Sequence, residues 1–394
     1  MKIMVINTGS SSLKFSLFNM NQKKLLINGL FERIGNPDVS GYKIKFQDQK
    51  IENQAPLNNH IDAVNILLNK LVELKIIEKL EDIDGIGHRI VHGGIDYKES
   101  VLITDKVVQD LIDIIDLAPL HNPAHIMGIQ AFKKILPNIP MVAVFDTAFH
   151  QTIDETNYLY SVPYSWYRDY KIRKYGFHGT SHRYISETIM QELKSSKLKI
   201  ISCHLGAGGS ICAIKDGKSI DTSMGFTPLA GITMATRSGD IDVSFIPYLI
   251  KESGKTLEQI IDDLNTKSGL LGISEYSSDS RDIEEGMANG NANCILAQKK
   301  LVRSIVNYIA SYYVQLDGAD VICFAGGIGE KSPITRKNII DNLACLGIYI
   351  DEKKNNIRSE FRKISTEDSK VAVYIIPTDE ELMLAKDTLN IINR

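Results

Sequence analysis

Residues 3–19, IMVINTGSSSLKFSLFN, and residues 200–216, IISCHLGAGGSICAIKD, follow one plan. Each runs from an apolar stretch through a turn of Gly, Ser and other small residues into a second apolar stretch. That is the pattern of two buried strands joined by a tight connection. The offset is 200 − 3 = 197 residues, half of the 394-residue chain, and it carries Asn7 onto His204 and Gly9 onto Gly206. A repeat at half length predicts two halves built alike, each bringing a phosphate-type turn to a shared cleft. Such turns offer backbone N–H groups and hydroxyls to an anion, and Lys14 adds charge beside the first.

The rest of the chain fits an ordinary two-domain globular protein. Its length is comfortable for two domains, and 43% of residues are hydrophobic and 24% charged. The net charge of 45 − 48 = −3 is spread along the chain, which leaves no electrostatic footprint for nucleic acid or a membrane. No apolar run approaches the ~20 residues that span a bilayer, and the first strand begins too early for a signal peptide. Cys203, Cys212, Cys294, Cys323 and Cys345 form no CxxC pair, so reduced thiols in a cytoplasmic protein are expected rather than a disulfide or zinc framework.

Between the repeats lie segments whose residue types point to anion chemistry. Arg89 sits in the short β run of GIGHRIVHGG, where a charge is costly unless it faces a cleft or partner. His121 precedes Asn122-Pro123, read as the cap and first residue of a helix to about Leu136, a position suited to anions. Asp146 follows the apolar run 141–145, and α/β enzymes place reacting groups at the carboxyl ends of strands. YGFHGTSH (175–182) feeds a helix to about Leu193, and TRSGD (236–240) places Arg237 beside Gly239. Ser278 or Asp279 caps a further helix. The strand 321–324 runs into a third Gly-rich turn, 325–329, ahead of a helix near Pro333. Residues 382–392 form a closing helix behind Pro377-Thr378-Asp379-Glu380-Glu381. Backbone donors, two arginines in Gly-flanked segments, loop histidines and carboxylates at element ends are the inventory of phosphoryl transfer.

In INTGSSSLKF, GHRIVHGG, PLHNP, FDTAFH, YGFHGTSH, HLGAGGS, DTSMGFTPL, TRSGDID, SGLLGIS, SSDSRD, GGIGE and PTDEE, the sequence resembles the acetate and propionate kinases. These belong to the sugar-kinase, heat-shock ATPase and actin superfamily. The matches run in order along essentially the whole chain. The resemblance implies an α/β fold of two duplicated actin-like (ribonuclease H-like) domains, each a mixed central sheet flanked by helices. The first domain would comprise residues 1–148 with 382–394, and the nucleotide-binding domain residues 149–381. It further implies Mg-dependent transfer of the ATP γ-phosphoryl group to acetate, giving acetyl phosphate and ADP, in a homodimer. Manganese could stand in for magnesium.

Carried over motif by motif, Asn7 and Glu380 resemble the metal-site residues, and Lys14 a nucleotide-phosphate contact. Arg89 resembles the carboxylate-binding arginine. His178 and Arg237 resemble the groups that steady the transition state, with His121 near them. The nucleotide segments match at His204, Leu205, Gly206, Ala207 and Gly208; at Asp279, Ser280 and Arg281; and at Gly327, Ile328, Gly329, Glu330 and Lys331. Val91, Leu120, Phe177 and Pro228 match the apolar acyl pocket. Asp146 matches the family's catalytic carboxylate. A carboxylate substrate is already ionised at pH 7, so orienting Arg89 or a metal-bound water suits Asp146 better than acting as a base.

Four positions depart from the family pattern. Ala207 replaces the Asn of HLGNG, Ala230 a Glu, Lys331 the last residue of TAGIGEN, and Asp379 the Asn of TNEE. A diphosphate-using branch also departs at the first of these turns, but it alters the GGIG turn that is intact here, so ATP is the expected donor. Val91 leaves less room than the Ala typical of propionate-preferring relatives, which favours acetate. A non-enzymatic actin-like ATP clamp would have no use for Arg89, His178 and Arg237 together.

Overall fold

A computed structural model describes residues 1–119, 121–357 and 360–394. The chain divides into two compact units, Met1–Ala148 with Asp379–Arg394, and Phe149–Thr378.

The first unit is built on β1 (Lys2–Gly9), β2 (Ser12–Asn19), β3 (Lys24–Glu32), β4 (Gly41–Phe46), β5 (Gln49–Gln54), β6 (Gly85–Ile90), β7 (Val101–Leu102) and β8 (Met141–Phe145). Their order across the sheet is β5-β4-β3-β2-β1-β6-β8-β7. The first five form an antiparallel meander, and β6 and β8 run parallel to β1. β1 is apolar on both sides because both its faces are covered. Ile3 and Val5 pack with Leu384 and Ala385 of the closing helix Glu380–Ile392. Met4 and Ile6 face Leu67, Leu68 and Phe132 of the helices His60–Glu73 and Asn122–Ile135. Burying each such aliphatic side chain is worth ~1.5–3 kcal/mol.

The second unit holds β9 (Lys199–Leu205), β10 (Gly209–Lys215), β11 (Lys218–Thr222), β12 (Val321–Ala325), β13 (Arg362–Lys363) and β14 (Ala372–Ile375), ordered β11-β10-β9-β12-β14-β13. The plan of the first sheet recurs: β3-β2-β1-β6-β8 corresponds to β11-β10-β9-β12-β14. Even the register agrees. Ile3 pairs with Gly85 as Ile200 pairs with Val321. Ile185 and Ile189 of the helix Gly179–Glu192 cover one face of this sheet with Ile200, Cys212 and Ile214. The helices exchange between the units in chain order. Gly179–Glu192, in the second unit, follows the last parallel strand of the first, whereas Glu380–Ile392, in the first unit, follows the last parallel strand of the second.

The α/β reading and the duplicated mixed sheets are therefore seen directly, while several local expectations change. The helix His60–Glu73 ends just before Lys75, which adopts a positive φ of 55°. Asn122 is the first residue of its helix and His121 takes the N-cap place, so Pro123 is one residue further in than expected. The third Gly-rich turn is itself helical over Gly326–Lys331, since only Gly326 needs a left-handed φ (77°) to leave β12. Arg89 is the penultimate residue of β6 rather than mid-strand. Cys345 is exposed, while the other four cysteines are buried free thiols. Among the described residues no helix is long and apolar enough to cross a membrane.

Both units bury histidines. Burial pushes His88 and His125 down to about 3 and His92 and His150 down to about 4. These rings are neutral in the folded chain, whereas in the unfolded chain they take up protons below pH ~6.5. Their contribution is thus complete above pH ~6.5 and is lost as pH falls toward 4, at about 2 kcal/mol per ring by pH 5. The urea midpoint followed by circular dichroism should drop markedly between pH 7.5 and pH 5. An unchanged midpoint would mean that the rings are not held neutral.

Candidate functional site

In the first unit the loops at the carboxyl ends of β6 and β8 are tied together. The Asp146 N–H donates to the Ile90 carbonyl at 2.9 Å, the Gly93 N–H to Thr147 Oγ1 at 3.2 Å, and Asn122 Nδ2 to the His92 carbonyl at 3.1 Å. On this base Arg89 grips Asp146 as a fork. Nε lies 3.1 and 3.2 Å from the two carboxylate oxygens and Nη2 lies 2.7 Å from Oδ2. The Asp146 side chain is 2% exposed and that of Arg89 is 24% exposed. Burial and the nearby Glu380 charge push Asp146 up against the pull of Arg89, while the Asp146 carboxylate pushes Arg89 further above its usual range. The two-point geometry spends the carboxylate on holding the guanidinium. Nη1 lies outside the fork and remains for a second acceptor.

Sheet period and register gather the other residues of this half. Asn7 lies opposite Lys14 across β1 and β2. It follows Ile3 and Val5 at period two, on the face that the closing helix covers. Lys14 pairs with Glu381 of that helix at 2.5 Å, and Ser16 also donates to Glu381. Glu380 is the helix's first residue and acts electrostatically on both Arg89 and Asp146. His121, at the head of its helix, acts on Asp146. Val91, just past β6, is buried, whereas Leu120 lies outside the described residues. Asn7 and Glu380 offer only oxygen donors on this face. That suits a hard cation such as Mg2+, which takes few protein ligands and keeps its remaining places for water and phosphate. Among the described residues no group of three or more His, Cys, Asp or Glu is set to hold a metal.

In the second unit a network of side chains holds His178. It takes a left-handed φ of 57° at the head of the helix Gly179–Glu192. Its ring stacks on His204 with centroids 4.4 Å apart, and Nδ1 is hydrogen-bonded to Ser210 Oγ at 2.9 Å. Ser210 also meets His182 Nε2 at 2.8 Å, and His182 Nδ1 meets Ser202 at 2.8 Å. His204 Nδ1 bonds Ser181, which reaches Thr378 at 3.1 Å. With Nδ1 engaged, the Nε2 edge of His178 faces the Gly206–Gly208 turn. A Cβ at Gly208 would lie 3.7 Å from that Nε2 and 3.2 Å from Arg237 Nη1, so both side chains crowd this glycine. Burial pushes Arg237 below its usual range, and among the described residues its Nη1 donates to the Pro228 carbonyl alone, at 3.3 Å. Phe177 is buried beside His178. The Ala207 carbonyl accepts from the Ala235 N–H at 3.0 Å, while its methyl group offers no hydrogen bond.

Of the remaining segments that resemble the family's nucleotide site, one adjoins this turn. A Cβ at Gly326 would lie 2.8 Å from the Leu205 carbonyl, so the helical turn Gly326–Lys331 sits directly on the end of β9. Glu330 is occupied internally, accepting from the Gly326 N–H at 3.0 Å and the Thr378 N–H at 3.3 Å, and burial pushes it up. Gly327 faces open space, with Ile328 and Gly329 behind it. Asp279 caps the helix Ser280–Ala288 and clasps the exposed Arg281, which holds its carboxyl down at about 2. Ser332 ties that helix in through Glu284.

Sequence reasoning missed the supporting residues His182, Ser181, Ser202 and Ser210. One signal was present: His178, Ser181 and His182 fall at i, i+3 and i+4, the spacing of one helix face.

The sequence matches the acetokinase family over residues 2–386. It is 52% identical to the acetate kinase of Bacillus subtilis over 392 residues, 99% of each chain, and 50% identical to that of Anoxybacillus flavithermus over 394 residues, 100% of this chain and 99% of the relative. Among solved structures, the Porphyromonas gingivalis acetate kinase superposes with a TM-score of 0.95 at 41% identity, covering 99% of both chains. A propionate kinase from Francisella tularensis does so with a TM-score of 0.94 at 43% identity, again over 99% of both. Similarity of this extent, along the full length of a chain with two sheets of one topology, places the chain in the acetokinase family.

Proposed function

We propose that this chain is an acetate kinase, transferring the γ-phosphoryl group of ATP to acetate by direct attack. The observation that carries the reading is the pair of cationic or donor edges, Arg237 Nη1 and His178 Nε2, converging on the Gly206–Gly208 turn, with no carboxylate among the described residues paired to Arg237. A half-buried guanidinium without an anion is prepared for one that arrives with the substrate.

In the reaction an acetate oxygen forms a bond to the γ-phosphorus as the bond to the β,γ-bridging oxygen breaks, and the electron pair leaves on ADP. Nη1 of Arg89 would take the acetate carboxylate, with Asp146 fixing the guanidinium plane and Val91 lining the methyl group. Arg237 and His178 would share the charge on the equatorial oxygens. Backbone donors of 204–208 and 327–331 would carry the phosphates and adenosine, with Asp279, Ser280 and Arg281 at their edge. Asn7 and Glu380 would hold Mg2+, which neutralises phosphate charge when bound. Arg237→Ala should lower kcat by ~10³-fold or more, the scale of a lost arginine finger. A loss below tenfold in a folded variant would remove Arg237 from this role.

Propionate is the second acyl reading, favoured by the Francisella tularensis neighbour. The buried Val91 supports acetate. One methylene is worth ~1–3 kcal/mol in such a pocket, so kcat/KM for acetate should exceed that for propionate by about tenfold or more. Acyl phosphate trapped with hydroxylamine measures this. Faster reaction of propionate would show the pocket to be larger than Val91 implies. Pyrophosphate as donor tests the effect of Ala207.

We also propose a cytoplasmic homodimer. Val243, Tyr248, Leu257 and Ile261 are exposed on and around the helices Phe245–Ser253 and Leu257–Thr266, an apolar surface that a second copy would cover. Light scattering should give twice the monomer mass for the parent and the monomer mass for Tyr248→Glu. A monomeric parent would reject the dimer.

A further inference from the structure

Arg336 is a fully buried charge that none of the catalytic steps above uses. It lies in the helix Pro333–Asp341, directly after the turn Gly326–Lys331. Its three hydrogen bonds all go to uncharged oxygens. Nη1 donates to the Gly329 carbonyl at 2.8 Å, Nε to Asn355 Oδ1 at 2.7 Å and Nη2 to the Asn355 carbonyl at 2.7 Å. Asn355 in turn donates to the Pro333 carbonyl at 3.0 Å. The acidic residue that acts on Arg336, Glu284, is occupied with Ser332. Burial pushes Arg336 down to about 10, so it remains charged at neutral pH.

A buried guanidinium with no carboxylate partner is costly, and hydrophobic residues would fill the same space more cheaply. What they could not supply is a rigid planar fork bridging two backbone segments. Of its two anchors, Asn355 belongs to a distant segment, while Gly329 lies in the turn assigned to the nucleotide. That turn is fixed at three places. Gly326 abuts the Leu205 carbonyl, Glu330 holds the Gly326 and Thr378 N–H groups, and Arg336 holds Gly329. Gly327, between them, faces open space where a ligand can approach the backbone.

We infer that Arg336 is a positioning residue for nucleotide binding, fixing the Gly329 carbonyl and with it the backbone of Gly327 to Gly329. The inference rests on the kinase reading above. Arg336 touches no substrate, and its effect should fall on ATP alone.

The test compares Arg336→Lys with Asn355→Ala, each with steady-state kinetics, thermal unfolding and calorimetric titration of Mg·ATP. Lysine keeps the charge but cannot span Gly329 and Asn355 together. Asn355→Ala removes the side-chain anchor and leaves the Nη1 bond to Gly329. Both variants should unfold at lower temperature. Only Arg336→Lys should raise the KM and Kd for ATP, by about tenfold, with kcat and the acetate KM within twofold of the parent. An unchanged ATP affinity in Arg336→Lys would overturn the inference and leave the kinase reading intact, as would an equal rise in both variants. A parent that binds no Mg·ATP would overturn both.

Discussion

A sheet covered on both faces has nowhere to put charge except at the ends of its strands, and this constraint shapes the whole molecule. Ile3 and Val5 on one side of β1 and Met4 and Ile6 on the other leave no place for a polar side chain until Asn7. In β6 the charge comes at Arg89, one residue from the end, and in β8 it comes just after the last residue, at Asp146. In the second unit β9 ends at His204-Leu205 and β12 at Ala325. The residues with chemistry therefore lie at one edge of each sheet because burial excludes them elsewhere.

Duplication gave both units that edge, and sequence then made the edges different. The matched register (321 − 85 = 236) makes Ala325 of β12 the counterpart of Arg89 of β6. The next strand (373 − 141 = 232) makes Thr378 the counterpart of Asp146. The first unit thus carries a forked ion pair where the second carries a methyl group and a hydroxyl. A forked pair suits recognition of a carboxylate by its remaining guanidinium edge. The small residues of the second unit let a Gly-rich helical turn lie close on β9, which suits the approach of a phosphate to backbone donors. One topology accommodates two kinds of anion because the strand ends differ by a few side chains.

How much of this was legible in the chain depends on the range of the interaction. The two strand–turn–strand segments, the helix Gly179–Glu192 and the closing helix are written in local periodicity, and the sequence reading places them within a few residues. Motif identity named Arg89, Asp146, His178 and Arg237, because their Gly-rich or strand-end surroundings are local too. The helix at Gly326–Lys331 was read as a turn, since three glycines and no apolar spacing carry no helical signal. The supports were harder still. Ser210 and Ser202 reach His178 and His182 across more than 19 residues of chain. Arg336 sits in PITRKNIID, a segment as polar as any surface helix, and is buried by Asn355 in a later segment.

The three arginines that matter differ in what compensates their charge, and that difference separates their roles. Arg89 is matched by Asp146 and keeps one edge to offer, so it can bind an anion that comes and goes without being left bare. Arg237 is half-buried and, among the described residues, makes a single long bond to a carbonyl, which is the ground for proposing that an arriving anion satisfies its charge. Such a group stabilises an anionic transition state strongly because it has no competing partner to give up. Arg336 has a neutral oxygen on each of its three nitrogens and is fully buried, away from any ligand. A charge so enclosed acts through the backbone that it holds. Ranking these cations by the acceptors left over is thus the physical ground for the binding, transition-state and positioning roles proposed for them.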